Sequence, residues 1–195
     1  MSEIRIVEKP DEISYDDLHE LIYLSHAENR QNGFNVATAE MSGEELEAHI
    51  GKGGKCFVTM DGDKPVGMTA VRVRKNHYGP GQAVEQILVA VLPEYRRKGI
   101  STLMHEEVVR YARENRIPVI QVRTAANNKN MQKTCLSWGF QYIDFMSFSG
   151  IDHYTVVLMK WLDKEPSNLM GMKMRYYLKR LYVMAKYAPG KKKRF

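Results

Sequence analysis

The octapeptide Glu94-Tyr95-Arg96-Arg97-Lys98-Gly99-Ile100-Ser101 decides how this 195-residue chain is read. Upstream, residues 83–92 are almost continuously apolar and end at Pro93, the pattern of a central strand buried on both faces. Downstream, Ile100, Leu103, Met104, Val108, Tyr111 and Ala112 recur at three and four, so an amphipathic helix starts near Gly99 and stops near Asn115. The octapeptide is therefore a strand-to-helix turn. The first amides of a helix point outward without partners and carry the positive end of its dipole. Gly99 lacks the Cβ that would hold a ligand off the backbone, and Arg96, Arg97 and Lys98 add positive charge, a combination suited to a diphosphate. Neither GxxxxGK[ST] nor GxGxxG is present, and read alone the turn is equally a solvated basic loop.

Outward from this turn, residues 3–8 alternate apolar and polar as a half-buried strand closed by Pro10. Ser14 caps a helix expected to run to about residue 29, with Tyr15, Leu18, Leu21, Ile22, Leu24 and Ser25 at helical spacing, and Gly33 ends that region. Ser42 and Glu45 form a capping box for a short helix through Ile50. Residues 56–60 and 65–73 read as strands joined by the turn Asp61-Gly62-Asp63-Lys64. Residues 118–122 give a short strand, 127–138 a helix, and 141–148 and 153–161 two more strands. The order βααβββαβαββ places parallel pairing in the middle and hairpins on either side. The expected class is α/β (α+β), with a mixed, mostly antiparallel central sheet flanked by helices.

Hydrophobic residues make up 44% and charged residues 27%, enough for one packed domain over residues 1–163 with an appendage at 164–195. No apolar run has transmembrane length and the start lacks a signal-peptide centre, so a cytoplasmic protein is expected. Cys56 and Cys135 are too few for a disulfide framework, and no His or Cys pair has metal-ligand spacing, so no metal is expected. Charge is segregated. Residues 164–195 hold 10 of the 29 Lys and Arg but one of the 23 Asp and Glu, leaving a tail of +9 on a body of −3.

Two segments together carry a resemblance to the GNAT (Gcn5-related N-acetyltransferase) superfamily, strongest over residues 85–140. Arg96-Arg97-Lys98-Gly99-Ile100-Ser101 resembles the family's Q/R-x-x-G-x-G/A, with Ser101 in place of the last small residue. About 30 residues on, Asn128, Gly139 and Phe140 match N-x-x-A-x-x-x-Y-x-x-x-G-F, with Met131 and Cys135 replacing its Ala and Tyr. The resemblance implies acetyl-CoA as co-substrate, its diphosphate bound by the turn from Arg97 through Gly99, Ile100, Ser101 and Thr102, with Arg96 at the first signature position. Asn128 and Met131 would lie by the cofactor. Leu88, Val89, Ala90 and Val91 would face the pantetheine arm, which hydrogen-bonds like a strand into a splayed parallel pair.

For catalysis the resemblance nominates Glu85 as general base, since only a neutral amine attacks a thioester; a desolvated carboxylate in that apolar run would have a raised pKa. The bland reading is a Glu at the strand's wet end. Cys135 stands where relatives place a Tyr acid, and is more simply a small buried hydrophobe. The implied activity is acetyl transfer to an amine or hydroxyl by direct attack in a ternary complex, with a non-catalytic acyl-CoA-binding or partner-docking module as the alternative. Acceptors range from a small metabolite or sugar amine to a protein amine. His26, Asn29 and Arg30, and separately His77 and Tyr78, lie in loops where related proteins build acceptor pockets, though isolated polar loop residues are more simply solvated.

The tail from Asn168 reads as a basic amphipathic helix whose stripe is Met170, Met174, Tyr177, Leu181 and Met184, followed by a basic cluster at 191–194. Peripheral contact with an anionic membrane and packing on this body or on a second copy in a homodimer both suit it, with packing favoured by the aromatic area on several faces. Nucleic acid is not expected, since nothing else reads bases.

Overall fold

The computed structural model describes residues 4–31, 37–147 and 153–186; the expectations placed on Gly33, Phe148 and the cluster at 191–194 lie outside these. The described residues form a mixed α/β fold of mostly antiparallel strands with flanking helices, as expected, and the chain divides into two compact units.

The first unit comprises residues 1–74 and 84–116. Its strands β1 (Ile4–Glu8), β2 (Lys55–Asp61), β3 (Lys64–Lys75) and β4 (Gln82–Val91) are neighbours in that order. β1 runs antiparallel to β2, with Ile6 opposite Thr59, and β2 antiparallel to β3, with Val58 opposite Met68. Gly62 adopts φ +61 in the β2–β3 turn, the left-handed angle such a tight hairpin needs.

Helices α1 (Tyr15–Ser25) and α3 (Gly43–Ile50) each begin with a reciprocal capping box, Ser14 with Asp17 and Ser42 with Glu45. They bury Leu18, Ile22 and Leu46 in one core cluster with Val58 and Met68, to which α4 (Ile100–Glu114) adds Ile100 and Met104. The single helix expected to residue 29 is interrupted. The His26 amide donates back to the Ile22 carbonyl at 3.1 Å, and a separate short α2 (Ala27–Gln31) follows, because the apolar periodicity stops at Ser25.

The second unit comprises residues 75–83 and 117–195. Strands β5 (Val119–Ala125), β6 (Gln141–Ser147) and β7 (Tyr154–Trp161) lie in the order β5-β7-β6, both pairings antiparallel. β5 runs past the expected residue 122 because β7 supplies partners as far as Thr155 opposite Ala125. Helix α5 (Lys129–Ser137) precedes β6, and α6 (Leu169–Lys186) packs on β6, so the basic helix is built into this unit. Tyr176, 1% exposed, stacks on Tyr142 with centroids 4.7 Å apart and meets Phe145 edge-on at 6.2 Å. Lys179 pairs with the buried Asp144, which also accepts from Tyr78 Oη at 3.1 Å.

The inward face of α6 is not the stripe expected to pack. Leu169 and Tyr176 are buried with Met172 and Val183 beside them, whereas Met170, Met174, Tyr177, Leu181 and Met184 are exposed. The helix carries two apolar arcs, and the more regular one in sequence is the one left outside.

Candidate active site

The start of α4 in the first unit is open in the way its sequence implies. Gly99, at φ +80 and ψ −2, caps the helix with no side-chain acceptor. The helical ladder opens when the amides of Thr102 and Leu103 donate to the Gly99 carbonyl at 2.9 and 3.1 Å. The amides of Ile100 and Ser101 therefore precede it and carry the positive pole of a 15-residue helix. A Cβ placed on Gly99 would meet nothing within 4 Å, so there is room for a ligand against the backbone. Ile100 is buried and anchors the turn to the core, while Ser101 is half-buried and Thr102 exposed.

Positive charge surrounds this turn. Arg97, itself at φ +60, and Lys98 are both exposed. Lys98 and Lys64 hold their ammonium groups 4.8 and 5.5 Å from the centre of the Tyr95 ring. The Tyr95 hydroxyl donates to Asp61 Oδ2 at 2.8 Å, which fixes the ring. Arg96 does something else. Its amide donates to the Pro93 carbonyl, and its guanidinium binds the Ser25 carbonyl, Glu28 at 3.0 Å and the Val91 carbonyl at 3.4 Å. The side chain expected at a phosphate is thus a brace between the end of β4 and the end of α1.

Within β4, Leu88 has φ +57. This left-handed angle does not fit a regular pleated strand, so the backbone departs locally from β geometry at Leu88. Leu88, Val89 and Val91 are half-buried and Ala90 is buried. Nothing in the residue type announces this, since leucine is a poor host for a left-handed angle.

Glu85 is 1% exposed, so it is not at a wet rim. Its Oε2 accepts from Arg72 Nε at 2.8 Å, and Arg72 Nη1 donates to the His49 carbonyl at 2.6 Å. Burial takes water from this carboxylate, and the Arg72 guanidinium supplies a charge partner in its place. Arg72 was not foreseen. The available signal was one basic and one acidic residue inside two apolar strands joined by a short connection, which places opposite charges across a hairpin. Beside this pair lies a second buried polar chain, with His105 Nδ1 3.1 Å from Gln86 Oε1 and Gln86 Nε2 donating to Thr69 Oγ1 at 3.3 Å.

In the second unit, Asn128 caps α5, its Oδ1 accepting from the Met131 amide at 3.1 Å. Met131 is half-buried on the first turn. Cys135 is fully buried, and desolvation pushes its thiol up to about 12. A thiol that holds its proton so tightly is a poor donor to a thiolate, which argues against an acid role. Tyr78 is committed to Asp144, and its amide donates to Asn76 Oδ1 at 2.9 Å. The side chains of Asn29 and Arg30 lie outside the described residues.

The sequence model of the Acetyltransferase (GNAT) family matches residues 16–140. No curated protein matches the chain. Among solved structures, a GNAT-family acetyltransferase from Staphylococcus aureus Mu50 is 21% identical with a TM-score of 0.62, covering 83% of this chain and all of its own. A ribosomal-protein-alanine N-acetyltransferase from Escherichia coli is 13% identical with a TM-score of 0.60, covering 85% and 98%. A GNAT-family acetyltransferase from Elizabethkingia anophelis, solved with acetyl-CoA bound, is 13% identical with a TM-score of 0.58, covering 82% and 98%. At these identities the structures speak for the fold.

Proposed function

The chain belongs to the GNAT acetyltransferase family, and on that premise we propose that it moves an acetyl group from acetyl-CoA to an amine by direct attack in a ternary complex. The observation that carries the proposal is the uncapped start of α4, with Gly99 left-handed and open space beside it. A diphosphate placed there meets free amides, the helix dipole and the charges of Arg97 and Lys98. The neighbour solved with acetyl-CoA favours that donor.

The left-handed angle at Leu88 supports a role for β4 along the pantetheine arm, since backbone groups re-aimed by a local departure from β geometry can serve a ligand. The amine nitrogen bonds to the thioester carbon, the carbon–sulfur bond breaks, and CoA leaves with a proton that the acceptor gives up. Amides near Leu88 to Val91 would hold the carbonyl oxygen as charge builds on it. The acceptor class we favour is a small-molecule or sugar amine; a protein amine, as in the E. coli neighbour, and a hydroxyl are the alternatives.

Gly99 provides the test. Gly99→Ala and Gly99→Glu share the strain of a side chain at φ +80, but only the glutamate fills the open space and repels phosphate. Acetyl-CoA is expected to raise the melting temperature of the wild type most, that of Gly99→Ala less because its Cβ holds the diphosphate off the backbone, and that of Gly99→Glu not at all. An equal shift in all three places the diphosphate elsewhere. A panel of amines and amino sugars, followed by thiol release, then separates turnover from mere CoA binding.

A further inference from the structure

The outward arc of α6 is neither core nor ordinary surface. Met170, Met174, Tyr177, Leu178, Leu181 and Tyr182 are each more than half exposed, with Met170 at 71%. At about 100° per residue these six fall in one arc on the side of the helix away from Leu169 and Tyr176. Scattered exposed apolar residues are normal; a continuous arc of this kind marks a surface made to be covered.

Charge decides what covers it. Lys173 and Arg180 border one edge of the arc and Arg175 and Lys179 the other, on the same helical count. Arg180 also hydrogen-bonds Tyr176, Lys179 pairs with Asp144 and Arg175 acts electrostatically on Tyr78, but Arg175 stays exposed and, with Lys173, lies nearest the edges of the arc on the helical count. No Asp or Glu occurs from residue 166 to the end of the chain, and four more basic residues follow at 191–194. A second copy docked through this arc would set like charges against like, with no carboxylate on the helix to offset them. A nucleic acid would leave six apolar side chains unused.

An anionic lipid surface satisfies both features at once. The arc enters the headgroup boundary while lysine and arginine on its two edges reach the phosphates. Among the described residues no helix is long and apolar enough to cross a membrane, so the geometry is that of a helix lying on a bilayer.

We propose that α6 docks this protein on an anionic membrane surface through this arc, flanked by Lys173 and Arg175. The inference is independent of the reaction proposed above. Its test uses the full-length chain and phosphatidylcholine vesicles with and without phosphatidylglycerol. Binding is expected only with the anionic lipid and is expected to weaken at high salt. Leu178→Asp with Leu181→Asp should abolish it, and Arg175→Glu should lower the partition coefficient about tenfold, with melting temperatures unchanged because all three positions are exposed. Failure of the intact chain to bind anionic vesicles at low salt overturns the proposal, as does binding that the paired aspartates leave intact. A lipid-free dimer that the same pair splits would show that the arc is a self-interface and overturn it equally.

Discussion

At the scale of single residues, Glu85 shows how a catalytic expectation changes once its partner is visible. A lone carboxylate in an apolar strand invites reading as a base with a raised pKa. With Arg72 Nε at 2.8 Å and Arg72 tied to the His49 carbonyl, the same carboxylate joins β4 to β3 and α3. Glu85→Gln leaves a guanidinium, itself 13% exposed, without its counter-charge. We expect a stability loss of about 2–4 kcal/mol by chemical denaturation, at the lower side of the cost of breaking a buried pair because Arg72 keeps some water. The activity that survives should have an unaltered pH profile. The general-base role instead predicts a normal melting temperature, turnover about a hundredfold down and partial recovery as pH rises and the amine deprotonates itself. The two outcomes differ in stability as well as rate, so one pair of measurements separates them.

At the scale of elements, what could be read in advance divides along physical lines. Short-range chemistry was legible. The Ser14 and Ser42 caps, the Asp61–Lys64 turn and the start and stop of α4 lie where side-chain rules put them, because each is fixed by hydrogen bonds within a few residues. Strand ends were less so, since β5 extends to Ala125 only because β7 lies beside it. The left-handed angle at Leu88 was not legible, since nothing in its residue type marks it, and the Arg72–Glu85 pair was legible only as opposite charges in two strands joined by a short connection. α6 is the sharpest case. Its periodic stripe was visible, but whether that stripe or the arc through Tyr176 faces inward depends on Tyr142 and Phe145 of β6. Tyr176→Ala should therefore cost about 3–5 kcal/mol, the range for emptying a buried aromatic site, whereas Tyr177→Ala on the exposed arc should cost under about 1 kcal/mol. Equal losses would mean that α6 is not seated on β6 by this face. For the same reason, removing α6 altogether would expose this aromatic cluster, so loss of a function in such a deletion could not be assigned to the outward arc.

At the scale of the whole molecule, buried acids that stay neutral bias stability toward lower pH. Burial raises Cys56 and Cys135 from 9.0 to about 12, and also raises Tyr142 and Tyr176 above 10.0. For each group the folded value exceeds the unfolded one, so the folded state binds more protons in between. Their stabilising contribution is complete below the unfolded thiol value, near 9, and is lost as pH rises through the folded value toward about 12. Urea midpoints should then be flat near neutrality and fall steadily above about pH 9. Cys135→Ala removes one titrating group. It should lower the midpoint at neutral pH, because it empties part of a fully buried site, and should make the alkaline slope shallower than that of the wild type. If turnover at neutral pH follows the fraction folded in this variant, Cys135 acts through packing alone. A drop in kcat well beyond that fraction would return the thiol to the proton-transfer step, and an alkaline slope unchanged from wild type would mean that Cys135 does not differ in pKa between the folded and unfolded chain.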